Sequence, residues 1–211
     1  MTVLEIDTPH GPARAHLHPA GEPVGALVLG HGAGGGVSAP DLVAATEAAL
    51  STGFSVALVE QPYSVAGRRS PAPAGQLDAA WIAVVRQLRD GELKGLPLIA
   101  GGRSAGARVA CRTAAETGAV AVLCLAFPVH APGRAAAGKT RQPELDAVDV
   151  PCLVVQGRRD PFGMPKGGAT RTVVEVDGNH SLKTDLEAVG AAVREWLSGL
   201  GSSTAAGRSP R

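Results

Sequence analysis

The sequence predicts an α/β fold: a mostly parallel, twisted sheet with helices on both faces and an antiparallel hairpin at its N-terminal edge. Three observations carry this. Two alternating stretches, residues 2–7 and 13–18, flank Thr8-Pro9-His10-Gly11-Pro12, a turn by composition. Short apolar runs then alternate with helix-compatible segments, the order of parallel strands joined by crossover helices. Several of those runs end in turns of small or polar residues, which gathers polar side chains at one edge of the sheet.

Taken in order, Val24–Leu29 is apolar throughout, as a strand buried on both faces must be. Pro40–Thr52 follows as a helix and Phe54–Val59 as the next buried strand. Residues 60–73 form a long loop, with Tyr63, Arg68 and Arg69 placed to line a mouth or to sit in solvent. Gln76–Asp90 has helical periodicity through Leu77, Trp81, Val84, Val85 and Leu88. Leu96–Ala100 reads as a strand, Ala105–Glu116 as a helix and Ala119–Phe127 as a strand. A flexible stretch runs on to Pro143, too short for a multi-helix lid. Val150–Gln156 and Arg171–Asp177 complete the strands, and Leu186–Leu197 closes the chain as a helix. Residues 1–198 are thus expected to form one domain, and 199–211, small and polar, a disordered tail.

Composition removes several function classes. The 211 residues are 45% apolar and 18% charged, enough for one domain with a substantial core. A net charge of +1 supplies no electrostatic pull toward nucleic acid or an anionic membrane. Aromatic residues, at 3%, are too few for a base-stacking surface. The N-terminus has no basic segment before an apolar core, and no apolar run reaches the roughly 18 residues of a membrane span, so a cytoplasmic protein is expected. The cysteines, Cys111, Cys124 and Cys152, have no metal-ligand spacing, and Cys124 and Cys152 lie in apolar runs; buried thiols are expected.

The chemistry centres on Gly102-Arg103-Ser104-Ala105-Gly106, which matches the G-x-S-x-G turn between a strand and a helix. Such a turn is strained and admits only small neighbours, and it lifts the serine hydroxyl above the sheet edge. In a chain with 28 glycines the match alone is weak. It gains weight from what surrounds it. Gly30-His31-Gly32-Ala33-Gly34-Gly35-Gly36 follows the first buried strand. It lacks the lysine and hydroxyl of a phosphate-binding loop, and suits a loop whose N–H groups meet an oxyanion. His31 is expected to order this loop. Asp160 and His180 each follow a later strand, giving the order Ser…Asp…His at one sheet edge. A serine nucleophile needs a neutral imidazole to take its proton, a carboxylate to orient that ring, and donors for the oxyanion. Ser104, His180 and Asp160 fill the first three roles. The N–H of Ala105 and one from Gly32 or Ala33 fill the last. Asp177 and Asp185 also flank His180, and either could pair with the ring; Asp177 is the stronger rival, because Asp185 should already lie on the closing helix.

These segments, with Phe127-Pro128-Val129-His130-Ala131-Pro132-Gly133, Gln156-Gly157-Arg158-Arg159-Asp160-Pro161-Phe162-Gly163, Gly178-Asn179-His180-Ser181 and Pro62-Tyr63 with Gly67-Arg68-Arg69, resemble a known family. It is the α/β-hydrolase-like family of the testis-expressed protein thirty and the third subunit of the NSL histone-acetyltransferase complex, which has many small bacterial members. More distantly the chain resembles the dienelactone hydrolases, in which a cysteine stands where this sequence has Ser104. The resemblance spans roughly residues 24–197. It implies the α/β-hydrolase fold and a serine-hydrolase site at Ser104, Asp160 and His180, while the lack of a large insertion after the Ala119–Phe127 strand leaves a minimal lid or none. The resemblance also raises His130 and Arg68 as candidate pocket residues, beside His31, Tyr63 and Arg103, which their places next to the glycine-rich loop, the long loop and the elbow make candidates. The triad order and the glycine-rich loop set the expected activity, cleavage of small ester or thioester substrates, with no metal or organic cofactor, no nucleic-acid partner and no membrane association. The competing expectation is a silent member of the fold that binds or scaffolds, since the family includes scaffolding members.

Overall fold

A computed structural model describes residues 2–131 and 140–205, the last five by their backbone. Eight strands form one sheet: β1 (Thr2–Ile6), β2 (Ala13–His18), β3 (Gly25–Gly30), β4 (Phe54–Glu60), β5 (Leu98–Arg103), β6 (Ala121–Leu125), β7 (Cys152–Gly157) and β8 (Arg171–Val176). Their spatial order is β1-β2-β4-β3-β5-β6-β7-β8. The hairpin expected at the N-terminus forms, with Thr2 opposite Leu17 and Ile6 opposite Ala13, and β2 then pairs antiparallel with β4. From β4 to β8 every pairing is parallel.

Alternation along each central strand sends side chains to two separate cores. Ala26 and Val28 of β3 join one core with helices α3 (Ala74–Asp90) and α4 (Ala105–Thr117), through Trp81, Val84, Leu88, Ala107 and Val109. Leu27 and Leu29 join the other, where α1 (Pro40–Ser51) and α6 (Leu186–Ala205) pack through Leu42, Ala45, Val189 and Val193. Since both faces of the central strands are covered, those strands had to be apolar throughout, as β3 and β6 are.

The structure departs from expectation in the loops. Two short helices were not foreseen, α2 (Pro62–Val65) and α5 (Gln142–Asp146). Each carries proline in its first turn, where the missing N–H costs no hydrogen bond. The closing helix runs eight residues past Leu197, to Ala205; the rest of the expected tail and most of the flexible stretch, 132–139, lie outside the described residues. The three cysteines are buried free thiols, with Cys111 and Cys124 sulfurs 3.5 Å apart. Among the described residues no helix is long and apolar enough to cross a membrane, and no group of three side chains is arranged to hold a metal ion.

Candidate active site

The turn between β5 and α4 holds Ser104 at φ 52°, ψ −106°, a conformation outside the ordinary allowed regions for a side-chain-bearing residue. What keeps it there is the close passage of α4 over the end of β3. A Cβ on Gly102 would lie 2.5 Å from the carbonyl oxygen of Gly30, and one on Gly106 would lie 2.3 Å from the same atom. Both neighbours are backbone and cannot swing aside, so glycine is required at each position. Strand pairing adds a restraint: Ser104 N–H donates to the Leu125 carbonyl at 2.9 Å.

His180 comes to Ser104 on the loop after β8, with Nε2 2.9 Å from Oγ. Its other nitrogen, Nδ1, lies 2.8 Å from Oδ2 of Asp160, on the turn after β7. With the serine proton directed at Nε2, Nδ1 carries the ring's own hydrogen and donates it to the carboxylate. The Asp160 side chain is fully shielded from water, and its acceptor sites are filled: Oδ1 receives the Phe162 N–H at 2.8 Å, and Oδ2 also receives Gln156 Nε2 at 2.8 Å. The Phe162 ring meets the imidazole edge-on, centroids 4.4 Å apart. The rival acids go elsewhere. Asp177 pairs with Arg159 at 2.8 Å in a half-exposed position, and Asp185 accepts the Ala188 N–H at the start of α6.

The loop after β3 is ordered by His31, which is 2% exposed. Its Nε2 receives the Gln61 N–H at 3.2 Å, which fixes the neutral tautomer with hydrogen on Nδ1, 2.8 Å from the Gly32 carbonyl oxygen. Burial holds the His31 pKa below its ordinary value, opposed by the Gly32 hydrogen bond and by Glu60. The Gly32 carbonyl thus turns inward, where it also receives the Gly35 N–H at 3.2 Å. In a trans peptide the next N–H points the opposite way, so Ala33, an exposed residue, presents its amide outward. Ala105 is the first residue of α4, and its N–H has no acceptor within the helix. Gly32 itself lies beside the elbow; a Cβ there would be 3.4 Å from that of Ser104.

The structure does not bring all the candidate pocket residues to this place. Tyr63 is buried, its ring 5.7 Å from that of His31, and burial raises its phenol pKa. Arg68 is exposed and lines a cavity of about 80 Å³ with His10, Gln61 and Tyr63, a lining that includes none of Ser104, Asp160 and His180. His130 stands against the Asp160 turn: its N–H donates to the Phe162 carbonyl at 2.8 Å and its ring would be 2.9 Å from a Cβ on Gly163. Arg103 turns inward to Asp41 and the His180 carbonyl. A larger cavity, about 530 Å³, lies between α3 and α4 at the opposite edge of the sheet, by Arg89, Pro97 and Val120.

Two residues of the site escaped sequence reasoning. Gln156, fully buried at the end of β7, directs Nε2 to Asp160 Oδ2, to the Phe127 carbonyl at 3.1 Å and to the Gly163 carbonyl at 3.0 Å. The signal was an amide inside an apolar strand, which must find partners. Asp41, fully buried in the first turn of α1, is the other; from sequence it reads as an ordinary acidic residue near a helix N-terminus.

Comparison with known proteins places the chain in a family. No curated protein sequence matches the chain. Among solved structures, it is similar to a serine hydrolase from Xanthomonas campestris described as being without a lid (21% identity, TM-score 0.71, 93% of this chain and 94% of that one). It is also similar to a dienelactone hydrolase from Anabaena variabilis (17% identity, TM-score 0.74, covering 94% and 96%). A third likeness is to an esterase from Pyrococcus furiosus (17% identity, TM-score 0.71, covering 95% and 90%). At these identities the likeness is one of fold. A family model described as alpha/beta hydrolase domain matches residues 23–198, and the chain belongs to that family.

Proposed function

We propose that the chain is a serine hydrolase that cleaves small ester or thioester substrates through an acyl-enzyme on Ser104. The observation that carries the reading is the continuous relay from Ser104 Oγ to His180 Nε2, 2.9 Å, and from His180 Nδ1 to Asp160 Oδ2, 2.8 Å. Distances of that size are those a general base requires. In the first half-reaction Ser104 Oγ attacks the acyl carbonyl carbon while its proton passes to His180 Nε2. Asp160 stabilises the resulting imidazolium and keeps the ring in register. The oxyanion is met by the N–H groups of Ala105 and Ala33, both fixed before substrate arrives, the condition under which such donors are most effective. His180 then returns the proton to the leaving alcohol or thiol. In the second half water attacks the acyl group, gives a proton to His180, and the acid leaves as Ser104 recovers its hydrogen.

The motif-level resemblance to the family of the testis-expressed protein thirty and the NSL subunit supports the same residues in these roles. The exposed oxyanion loop suits small substrates or groups presented at an open mouth. The test is labelling of the purified protein by a fluorophosphonate, followed by an ester and thioester screen. Label on Ser104, absent in Ser104→Ala and His180→Ala, is the expected result, with turnover falling in Ser104→Ala by a factor on the order of 10⁶. A folded wild-type protein that takes no label would overturn the reading in favour of a binding or scaffold role.

A further inference from the structure

We propose that Arg103, with Asp41 as its counter-ion, is a positioning residue that holds the oxyanion loop and the His180 loop in register with the nucleophile; the inference rests on the hydrolase reading above. Arg103 is the variable residue of the G-x-S-x-G turn, directly before Ser104, and its side chain is only 15% exposed. The guanidinium reaches three segments distant in sequence. Its Nε lies 2.8 Å from Asp41 Oδ2, in the first turn of α1. Its Nη2 donates to the backbone carbonyl of His180 at 3.1 Å. Its Nη1 occupies the space beside Gly32, 2.6 Å from where a Cβ would stand.

Each contact acts on a different part of the site. The bond to the His180 carbonyl fixes the backbone that carries the imidazole. The fit against Gly32 places a rigid planar group beneath a loop that Gly32, Gly34, Gly35 and Gly36 leave with little conformational preference of its own. The Asp41 contact anchors the guanidinium. Oδ1 of Asp41 receives the Leu42 N–H at 3.1 Å, whereas Oδ2 and Arg103 Nε meet as an ion pair without an aligned hydrogen bond. A carboxylate with no exposure needs such a partner; burial pushes its pKa up, and Arg103 is the charged group that opposes the shift. Arginine suits the place because one planar fork can serve several acceptors at fixed angles, which a lysine ammonium on a flexible stem cannot.

The experiment compares wild type with Arg103→Met, Arg103→Lys and Asp41→Asn. Sites are counted by fluorophosphonate titration, so that kcat refers to reactive serines only, and thermal melts run alongside. The expected result for Arg103→Met is a fall in kcat per titrated site of about 10- to 100-fold, with KM within about threefold, the pattern of a misplaced transition-state contact. Arg103→Lys should recover part of the loss, and adding Asp41→Asn to Arg103→Met should cost little more, since both act through one contact. A purely structural role would lower the melting temperature or the titratable fraction and leave kcat per site unchanged, and that outcome overturns the proposal. Should Arg103→Met fail to fold, Arg103→Lys decides: wild-type kcat per site in that variant overturns it equally. A wild type that neither labels nor hydrolyses would instead remove the hydrolase reading itself.

Discussion

Replacing Gly106 by alanine sets two physical effects of opposite sign against each other. Gly106 lies in the first turn of a helix, and on helix propensity alone Gly106→Ala should stabilise α4, by less than the roughly 1 kcal/mol of an interior position. Packing predicts the reverse. The new methyl would stand 2.3 Å from the Gly30 oxygen, 2.5 Å from the Gly30 carbonyl carbon and 2.9 Å from the His31 oxygen. Restoring ordinary van der Waals separation requires α4 and the end of β3 to part by about 1 Å. Overpacking of this kind costs about 1–3 kcal/mol, and strand–helix contact at backbone level has little room to relax. The net effect is destabilisation by about 1–2 kcal/mol, a fall in melting temperature of roughly 2–8 °C for a chain of this size. The same movement separates Ala105, at the head of α4, from the loop led by Gly30 and His31. Under the proposed mechanism this misplaces one oxyanion donor, so kcat/KM and the second-order rate of fluorophosphonate labelling should fall about 100-fold. Thermal melts and labelling kinetics on the one variant read both quantities. A melting temperature equal to or above that of wild type, with labelling unimpaired, would refute the claim that the approach of α4 to β3 sets the site.

Gln156→Leu should keep the fold and loosen the acid. It removes the donor shared among Asp160, Phe127 and Gly163, so a stability loss of about 1–3 kcal/mol is expected from oxygens left without a partner. A fall in kcat of about 10- to 100-fold should accompany it as the Asp160–His180 pair loses its fixed orientation, and unchanged steady-state kinetics would show that the pair holds itself. The burial of His31 gives a pH dependence. Its folded pKa lies below the ordinary value of 6.5, so the unfolded chain binds the proton more readily. Stability is therefore retained at neutral pH and lost as pH falls below about 6.5, by at most about 1.4 kcal/mol per pH unit for this one proton. His18, also shifted downward by burial, acts in the same direction, so the measurement is the difference between wild type and His31→Asn in melting temperature from pH 7 to 5. Parallel curves for the two proteins would exclude the assignment.

Much of the architecture was present in the order of residues. The apolar runs that became β3 to β7 could be recognised because strands covered on both faces have no solvent side, and the hairpin because its strands have one. The order Ser104, Asp160, His180 was legible because each follows an apolar run and so emerges at the same edge. Small residues around Ser104 marked the elbow, since close approach of two backbones excludes a Cβ wherever it occurs. What the sequence could not supply was any relation that depends on which distant segments meet. It could not place β4 between β2 and β3, because pairing is chosen by the whole sheet. It left Asp160 and Asp177 as rivals: a carboxylate's partner is set by the direction of two loops, and only the fold turns one acid into a shielded pocket beside His180 and the other toward Arg159 at the surface. Arg103 stood in the sequence only as a candidate pocket residue beside the nucleophile. The tertiary structure turned it inward because α1 brings a buried carboxylate, Asp41, beside the elbow, and a buried charge draws its counter-charge with it.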